Sequence, residues 1–240
     1  MDEESVNTVG DSINAGNASW TFSGEVVNTF EDHISKSVPF YNQGHDLICQ
    51  LSDFFIKTDS YCYELGSSTG ILSHKLADHA GEQKGKFIGI DCVEDMVHFA
   101  KNAYTARNLG YVLEDVLTYE YEPADMFISY YLLQFIHPSL RQNLVDRIYK
   151  TLRWGGAFVC FEKVRAPDAR FQDISTSLYS DFKLNNGYSA EEIVSKTRSL
   201  KGILEPFSTR GNLEMLERAG FKDINPIFKY ICFEGYLCIK

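Results

Sequence analysis

Ten residues from Tyr61 to Gly70, Y-C-Y-E-L-G-S-S-T-G, end an apolar run in an acid, two glycines and three small hydroxyl residues. Ile71, Leu72, Lys75 and Leu76 follow at helical spacing, so the stretch reads as a strand, a tight turn and a helix N-terminus. An α/β sheet holds a nucleotide at such a place. Two more acidic points belong with it. Asp91 ends the next strand-like run, 25 positions after Gly66, where a carboxylate can accept both ribose hydroxyl protons. Glu114-Asp115-Val116 ends a third run, with an acid to accept from an exocyclic amine and an apolar side chain to cover a base face. Each signal has a plainer reading: an ordinary turn for Glu64, Gly66 and Gly70, a helix cap for Asp91, a solvated loop for Glu114 and Asp115. Together, three acidic strand ends repel a pyrophosphate and fit an adenosine that carries a cationic sulfur.

His137 follows the fourth strand near the expected reaction centre and is the candidate general base; its plainer reading is a surface loop histidine. Tyr130 and Tyr131, with Tyr41, Tyr179 and Tyr188, are candidates for an aromatic substrate wall, against the alternative of core packing. The six histidines have no ligand spacing and the six cysteines no C-x-x-C pair, so neither a metal site nor a disulfide frame is expected. The cysteines read as buried reduced thiols. No serine triad or paired catalytic carboxylate is visible.

Regular alternation positions these residues. Strand-like runs at the start of Tyr61–Gly70 and at Lys86–Ile90, Tyr111–Leu113, Asp125–Tyr131 and Ala157–Glu162 are separated by amphipathic segments, including Glu94–Ala106 and a helix that Ser139 is expected to cap. Trp-Gly-Gly at 154–156 reads as a turn before the fifth run, and 224–228 and 230–239 read as a terminal hairpin. The predicted fold is α/β: a Rossmann-like, mostly parallel seven-stranded sheet with helices on both faces and a C-terminal antiparallel hairpin. Two helices broken at Pro39 form an N-terminal cap over 20–56, and 164–206 is a helical insertion with Ser189 and Glu192 as a capping box. Residues 1–19 are polar and expected to be a disordered tail; 20–240 are expected to be a single domain.

With 240 residues, 44% hydrophobic, the chain can bury a full core. A net charge of -10 disfavours direct nucleic-acid or anionic-membrane partners. No leader-like or membrane-spanning run is present, so a cytoplasmic location is expected.

The motifs E-L-G-S-S-T-G, I-G-I-D and L-E-D-V make the chain resemble class I S-adenosylmethionine-dependent methyltransferases. W-T-F at 20–22, S-V-P-F-Y at 37–41, L-Q-F at 133–135, F-E-K at 161–163, D-F-K-L-N-N-G-Y-S at 181–189 and R-A-G-F at 218–221 resemble the carboxy-S-adenosylmethionine synthase family. That family makes a carboxylated cofactor from prephenate for modification of the tRNA wobble uridine. The resemblance implies a homodimer and assigns cofactor contacts to Tyr41, Gly66, Ser67, Ser68, Asp91, Cys92, Asp115 and Val116; Glu64, Met96 and Tyr130 complete the expected cofactor set.

Two positions depart from the family. Tyr130 stands where the family has Asn, and an ungapped alignment puts Thr197 where it has the Arg that pairs with the extra carboxylate. Arg198 is one residue on, which on a helix turns a side chain by about 100°. Losing such a contact costs about 1.5–3 kcal/mol. The expectation is therefore a methyltransferase that binds ordinary S-adenosyl-L-methionine and acts on a small molecule held by Tyr131, Tyr179, Tyr188, Lys196 and Arg198. Lys196 or Arg198 reaching the carboxylate would instead give a carboxy-S-adenosyl-L-methionine synthase or a user of that cofactor. A non-catalytic cofactor-binding protein is the third reading.

Overall fold

The structure is a computed structural model that describes residues 7–8, 14–24 and 26–240. Of the expected tail, 1–6 and 9–13 lie outside the described residues; β1 (Asn7–Thr8) pairs antiparallel with β2 (Asn14–Ala15). After them come α1 (Val26–Ser37), α2 (Tyr41–Ser52), β3 (Tyr61–Leu65), α3 (Ile71–Ala80), β4 (Lys86–Asp91), α4 (Glu94–Ala103), β5 (Leu109–Leu113) and β6 (Ala124–Tyr130). A single 3₁₀ turn, Leu133–Phe135, leads to α5 (Pro138–Thr151) and β7 (Leu152–Lys163). The chain ends with α6 (Ala169–Asn185), α7 (Ala190–Ser199), α8 (Thr209–Ala219), β8 (Asp223–Tyr230) and β9 (Phe233–Ile239).

Seven strands form one sheet in the order β5-β4-β3-β6-β7-β9-β8. Neighbours from β5 to β7 are parallel, and β9 pairs antiparallel with both β7 and β8. The period-2 alternation of side chains sorts apolar groups to both faces. Cys62, Met126, Ile128, Val159 and Phe161 pack with Ile48, Leu72 and Leu76 of α2 and α3. Tyr63, Leu65, Phe127 and Phe158 pack with Leu144, Val145 and Ile148 of α5 and Leu216 of α8. Both faces of the parallel strands are covered, which is why these strands read as continuous apolar runs.

Three local expectations are corrected. Trp154-Gly155-Gly156 lies inside β7, because Gly155 N–H donates to Lys240 O at 2.8 Å and Lys240 N–H returns to Gly156 O at 3.0 Å. His137, not Ser139, caps α5, with Pro138 as its first residue. Helix α4 stops at Ala103, where Tyr104 turns to extended backbone. The capping box is present: Ser189 N–H donates to the Glu192 carboxylate at 2.8 Å, and Glu192 N–H to Ser189 Oγ at 3.2 Å. Five of the six cysteines are buried thiols; Cys92 is exposed, one residue beyond the end of β4.

Order reverses beside β3, whose chain crosses first to β4 and later returns to β6, so a crevice opens outside the strand ends there. Helices α1, α6 and α7 stand over it. Helix α7 also holds the segment after β2, through Ala18 N–H to Arg198 O at 3.0 Å and Trp20 N–H to Ser199 O at 3.2 Å. Since Leu144 is fully buried between α5 and the sheet, Leu144→Ala should lower the unfolding free energy by about 2–5 kcal/mol. The midpoint of urea denaturation reads this loss.

Candidate functional site

The glycine turn after β3 is held by backbone bonds: Gly66 N–H and Ser67 N–H both donate to Ile90 O, at 2.8 and 3.0 Å. Gly70 has φ +82, and a Cβ there would lie 2.6 Å from the ring of Tyr111 and 2.7 Å from Ala100. Only glycine lets α3 start this close to its neighbours. Ser67 Oγ and Thr69 Oγ1 are buried, line the cavity and have no hydrogen-bond partner among the described residues. Buried polar groups without partners mark places for a bound molecule.

Asp91 joins the turn to α4. One carboxylate oxygen accepts from Ser68 N–H at 2.8 Å, the other from Val93 N–H at 2.9 Å. A carboxylate has about four acceptor positions, so the capping duty and a ribose contact are compatible. Burial raises its pKa against these hydrogen bonds. Glu64, at the floor of the cavity, accepts from Ser73 Oγ. Burial, with the nearby Asp91 charge adding, pushes it up to about 8, so it is largely protonated at neutral pH. Ser68 Oγ donates to the Met96 sulfur at 3.5 Å, which keeps that thioether on the cavity wall. Asp115 accepts from Leu117 N–H at 2.8 Å, while Val116 lies buried beside it. Arg147 donates to the carbonyls of Val116, Leu117 and Tyr119, and so fixes the loop that presents both.

An aromatic wall faces this acidic side. Tyr130 Oη donates to Tyr41 O at 2.6 Å, and its ring lies 5.1 Å from Tyr41, 4.8 Å from His45 and 4.7 Å from Tyr131. A Cβ at Gly44 would collide with Tyr130 Oη, so the glycine inside α2 makes room for this tyrosine. Burial lowers the His45 pKa to about 3, and the ring is neutral behind the wall. Tyr131 has φ +63, a left-handed backbone that non-glycine residues seldom adopt and that clusters at functional sites. Gln134 secures it: Gln134 Nε2 donates to Tyr131 O at 3.3 Å, and Gln134 Oε1 accepts from Lys163 N–H at 2.9 Å. Glu162, buried beneath, accepts from Leu133 and Gln134 N–H, both at 2.9 Å.

The glycine turn, the strand-end acids and the tyrosine wall share one cavity of about 920 Å³. Tyr41, Glu64, Gly66, Ser67, Ser68, Asp91, Cys92, Met96, Asp115, Val116 and Tyr130, the cofactor set chosen from the sequence, all contribute to its wall. So do Tyr131, Tyr179, Lys196 and His137. Tyr188 and Arg198 do not. Tyr188 Oη is buried against His33 and Ser37, and Arg198 points elsewhere while its neighbour Thr197 faces the cavity. Lys196 contacts the His33 ring and Ser37 Oγ. His137 Nδ1 is engaged with Ser139, in the cap of α5. Sequence reading missed Gln134, Lys163 and Lys183. Their motifs, L-Q-F, F-E-K and D-F-K, stood in plain view, but nothing in their spacing said that β7 and α6 bring them to one wall.

The donor set fits an adenosine with a cationic centre: free hydroxyls at the turn, a ribose-competent acid, an apolar base slot and an aromatic wall. Among the described residues no group of three or more His, Cys, Asp and Glu side chains could hold a metal ion, and no helix is long and apolar enough to cross a membrane.

Comparison with known proteins agrees with this arrangement. A methyltransferase domain family matches residues 63–156. Solved structures share the fold at low identity: human N-acetylserotonin methyltransferase in complex with SAM (TM-score 0.60, 17% identity, 89% of this chain and 54% of that one) and a putative O-methyltransferase from Nostoc punctiforme (TM-score 0.64, 13% identity, 90% and 59%). This chain thus spans a little over half the length of those proteins. The match to curated sequences is longer. The carboxy-S-adenosyl-L-methionine synthase of Staphylococcus epidermidis is 36% identical over 92% of this chain and 97% of its own length. That of Nitratiruptor is 35% identical over 91% and 92%. On this near-complete coverage, the chain belongs to the carboxy-S-adenosyl-L-methionine synthase family, within the Rossmann-like S-adenosylmethionine-dependent methyltransferases.

Proposed function

We propose that the protein transfers the methyl group of S-adenosyl-L-methionine to a small-molecule acceptor. The carrying observation is at α7: Thr197 lines the cavity at the position the family resemblance gives to a carboxylate-binding Arg, and Arg198 does not line it. Lys196, which lines the cavity with Lys201 and Arg165, contacts His33 and Ser37. A cofactor carrying an extra carboxylate loses its charge-assisted partner, worth about 1.5–3 kcal/mol.

In this reading Asp91 holds the ribose, Val116 and Asp115 the base, and Glu64 with the tyrosine wall the cationic part of the cofactor. The bound sulfonium supplies an electrophilic methyl group. The chain's work is placement, since aligning two bound reactants removes most of the entropic barrier. His137, its Nδ1 committed to Ser139, is assigned no essential proton transfer. Residues 20–240 act as a single domain with 1–19 as a tail. The protein works in the cytoplasm without direct nucleic-acid contact, and as a homodimer; the exposed apolar stripe Phe171, Ile174 and Leu178 of α6 supports the last point.

A second reading, synthesis or use of carboxy-S-adenosyl-L-methionine linked to tRNA wobble uridine modification, is favoured by the names of the relatives. Mass spectrometry of the ligand released from purified protein separates the two. S-adenosyl-L-methionine or its demethylated product is expected; a species heavier by one carbon dioxide would overturn the proposal. Tight cofactor binding with no turnover of any acceptor would favour a non-catalytic role.

Two variants test the cofactor assignment. Asp91→Ala should weaken S-adenosyl-L-methionine binding about 100-fold or more, from the loss of two hydrogen bonds to a charged acceptor, as read by calorimetry. Glu64 is protonated in the free protein because burial holds its pKa at about 8, whereas a bound cation favours the carboxylate. Binding therefore releases a proton, and affinity should rise with pH toward about 8 and then level off. Glu64→Gln should remove that slope, and an unchanged slope would show that Glu64 does not face the cation.

A further inference from the structure

Two lysines on the cavity wall have no anionic partner among the described residues. Lys163 is the last residue of β7, and Lys183 lies in the last turn of α6. Both line the cavity. Their ammonium groups lie 4.4 and 4.5 Å from the centroid of the Tyr179 ring, and neither makes a hydrogen bond or an ion pair among the described residues. Tyr179 is itself fixed by its hydroxyl, which donates to Ser37 O at 2.9 Å. The nearest buried acid of the same strand, Glu162, spends both oxygens on the N–H groups of Leu133 and Gln134.

Lys183 is buried and Lys163 half-buried. Two ammonium groups sharing one aromatic ring repel each other and have lost much of their hydration. Burial is the main cause of the lowered pKa of both, and the Lys163 charge adds to it at Lys183, which falls to about 8. Contact with a tyrosine face offsets part of this cost, but buried cations are ordinarily paired with an anion. The acids on the cavity wall lie elsewhere: Glu64, Asp91 and Asp115 at the strand ends that fit the cofactor, and Glu205 at the segment after α7. Tyr131 and Phe233 stand on the same wall as the lysines and give an apolar surface beside the cations.

Resting on the methyltransferase reading, we propose that Lys163 and Lys183 form an oxyanion subsite over Tyr179, and that the acceptor is a small organic acid whose carboxylate docks there while its apolar body lies along Tyr131 and Phe233. Its charge is complementary to the two ammonium groups over Tyr179. The lysines thus orient the acceptor as well as bind it, and they are substrate-positioning groups with no part in bond making.

The full-length protein, loaded with S-adenosylhomocysteine, is titrated by calorimetry with benzoate, phenylacetate and butyrate, and with benzamide as the uncharged counterpart of benzoate. At least one acid should bind, with benzoate favoured tenfold or more over benzamide. Lys183→Met and Lys163→Met should each weaken the acid about 10- to 100-fold, the range of a charge-assisted hydrogen bond, and Lys183→Arg should recover most of the loss. S-adenosylhomocysteine affinity should stay within about twofold in every variant, which also shows that the variants fold. The proposal is overturned if no acid binds at millimolar concentration, if benzamide binds as well as benzoate, or if the Met variants keep acid affinity. It is equally overturned if those variants lose S-adenosylhomocysteine in the same proportion, since the lysines would then hold the cofactor's own carboxylate. Failure of the unmodified protein to bind S-adenosylhomocysteine sinks the methyltransferase reading instead, and the acid titration of the free protein still reports on the subsite.

Discussion

The bonds from Ser68 N–H and Val93 N–H to the Asp91 carboxylate tie together the two strand ends on which the site is built. One fixes the glycine turn after β3, the other fixes the entry to α4. Each is a local cap, and together they set the width of the crevice beside the point where strand order reverses. The acid sits there despite the burial that raises its pKa, because the two N–H groups replace water as donors. An apolar residue of similar size leaves both backbone donors without their acceptor. The ribose contact proposed for Asp91 thus uses a group whose position is already determined by folding.

The tyrosine wall depends on a different constraint, that of space. Tyr130 reaches Tyr41 O only because Gly44 leaves a gap in α2. Tyr131 turns through a left-handed backbone and is locked by Gln134, which Lys163 N–H holds in turn. The wall is a set of fitted pieces in which Gly44 cannot gain a side chain without displacing Tyr130. An Asn at this place would leave a cavity and an unfilled acceptor at Tyr41 O.

The sheet and its order of helices were legible from the sequence because parallel strands buried on both faces leave unmistakable apolar runs at Lys86–Ile90, Asp125–Tyr131 and Ala157–Glu162. Ends were less legible. Trp154-Gly155-Gly156 carries turn residues, yet pairing with Lys240, distant in the chain, draws it into β7. Ser139 is the better cap by residue type, yet Pro138 takes the first helical position and moves the cap to His137. For the site, the strand-end residues were legible because strand ends lie side by side by construction. Contributions from α6 and α7 were not, since a helix turns one face to the cavity and the sequence alone does not say which. Thr197 and Arg198 differ by one step and one of them faces the cavity.

That single step links the two ends of the site. The cavity wall carries acids at the strand ends and lysines on β7 and α6. A ligand with a cation at one end and an anion at the other is aligned by that field, and so is a pair of ligands of opposite charge. The second case is the one that suits group transfer, because the apolar stretch between them, Tyr130, Tyr131 and Phe233, excludes water where the two meet. A cation at position 197 would place a further positive charge on this wall and favour a carboxylate on the cofactor itself. With threonine there, Lys163 and Lys183 stay over Tyr179 without an anionic partner among the described residues, and in the proposed reading discrimination by charge shifts from the cofactor to the second substrate.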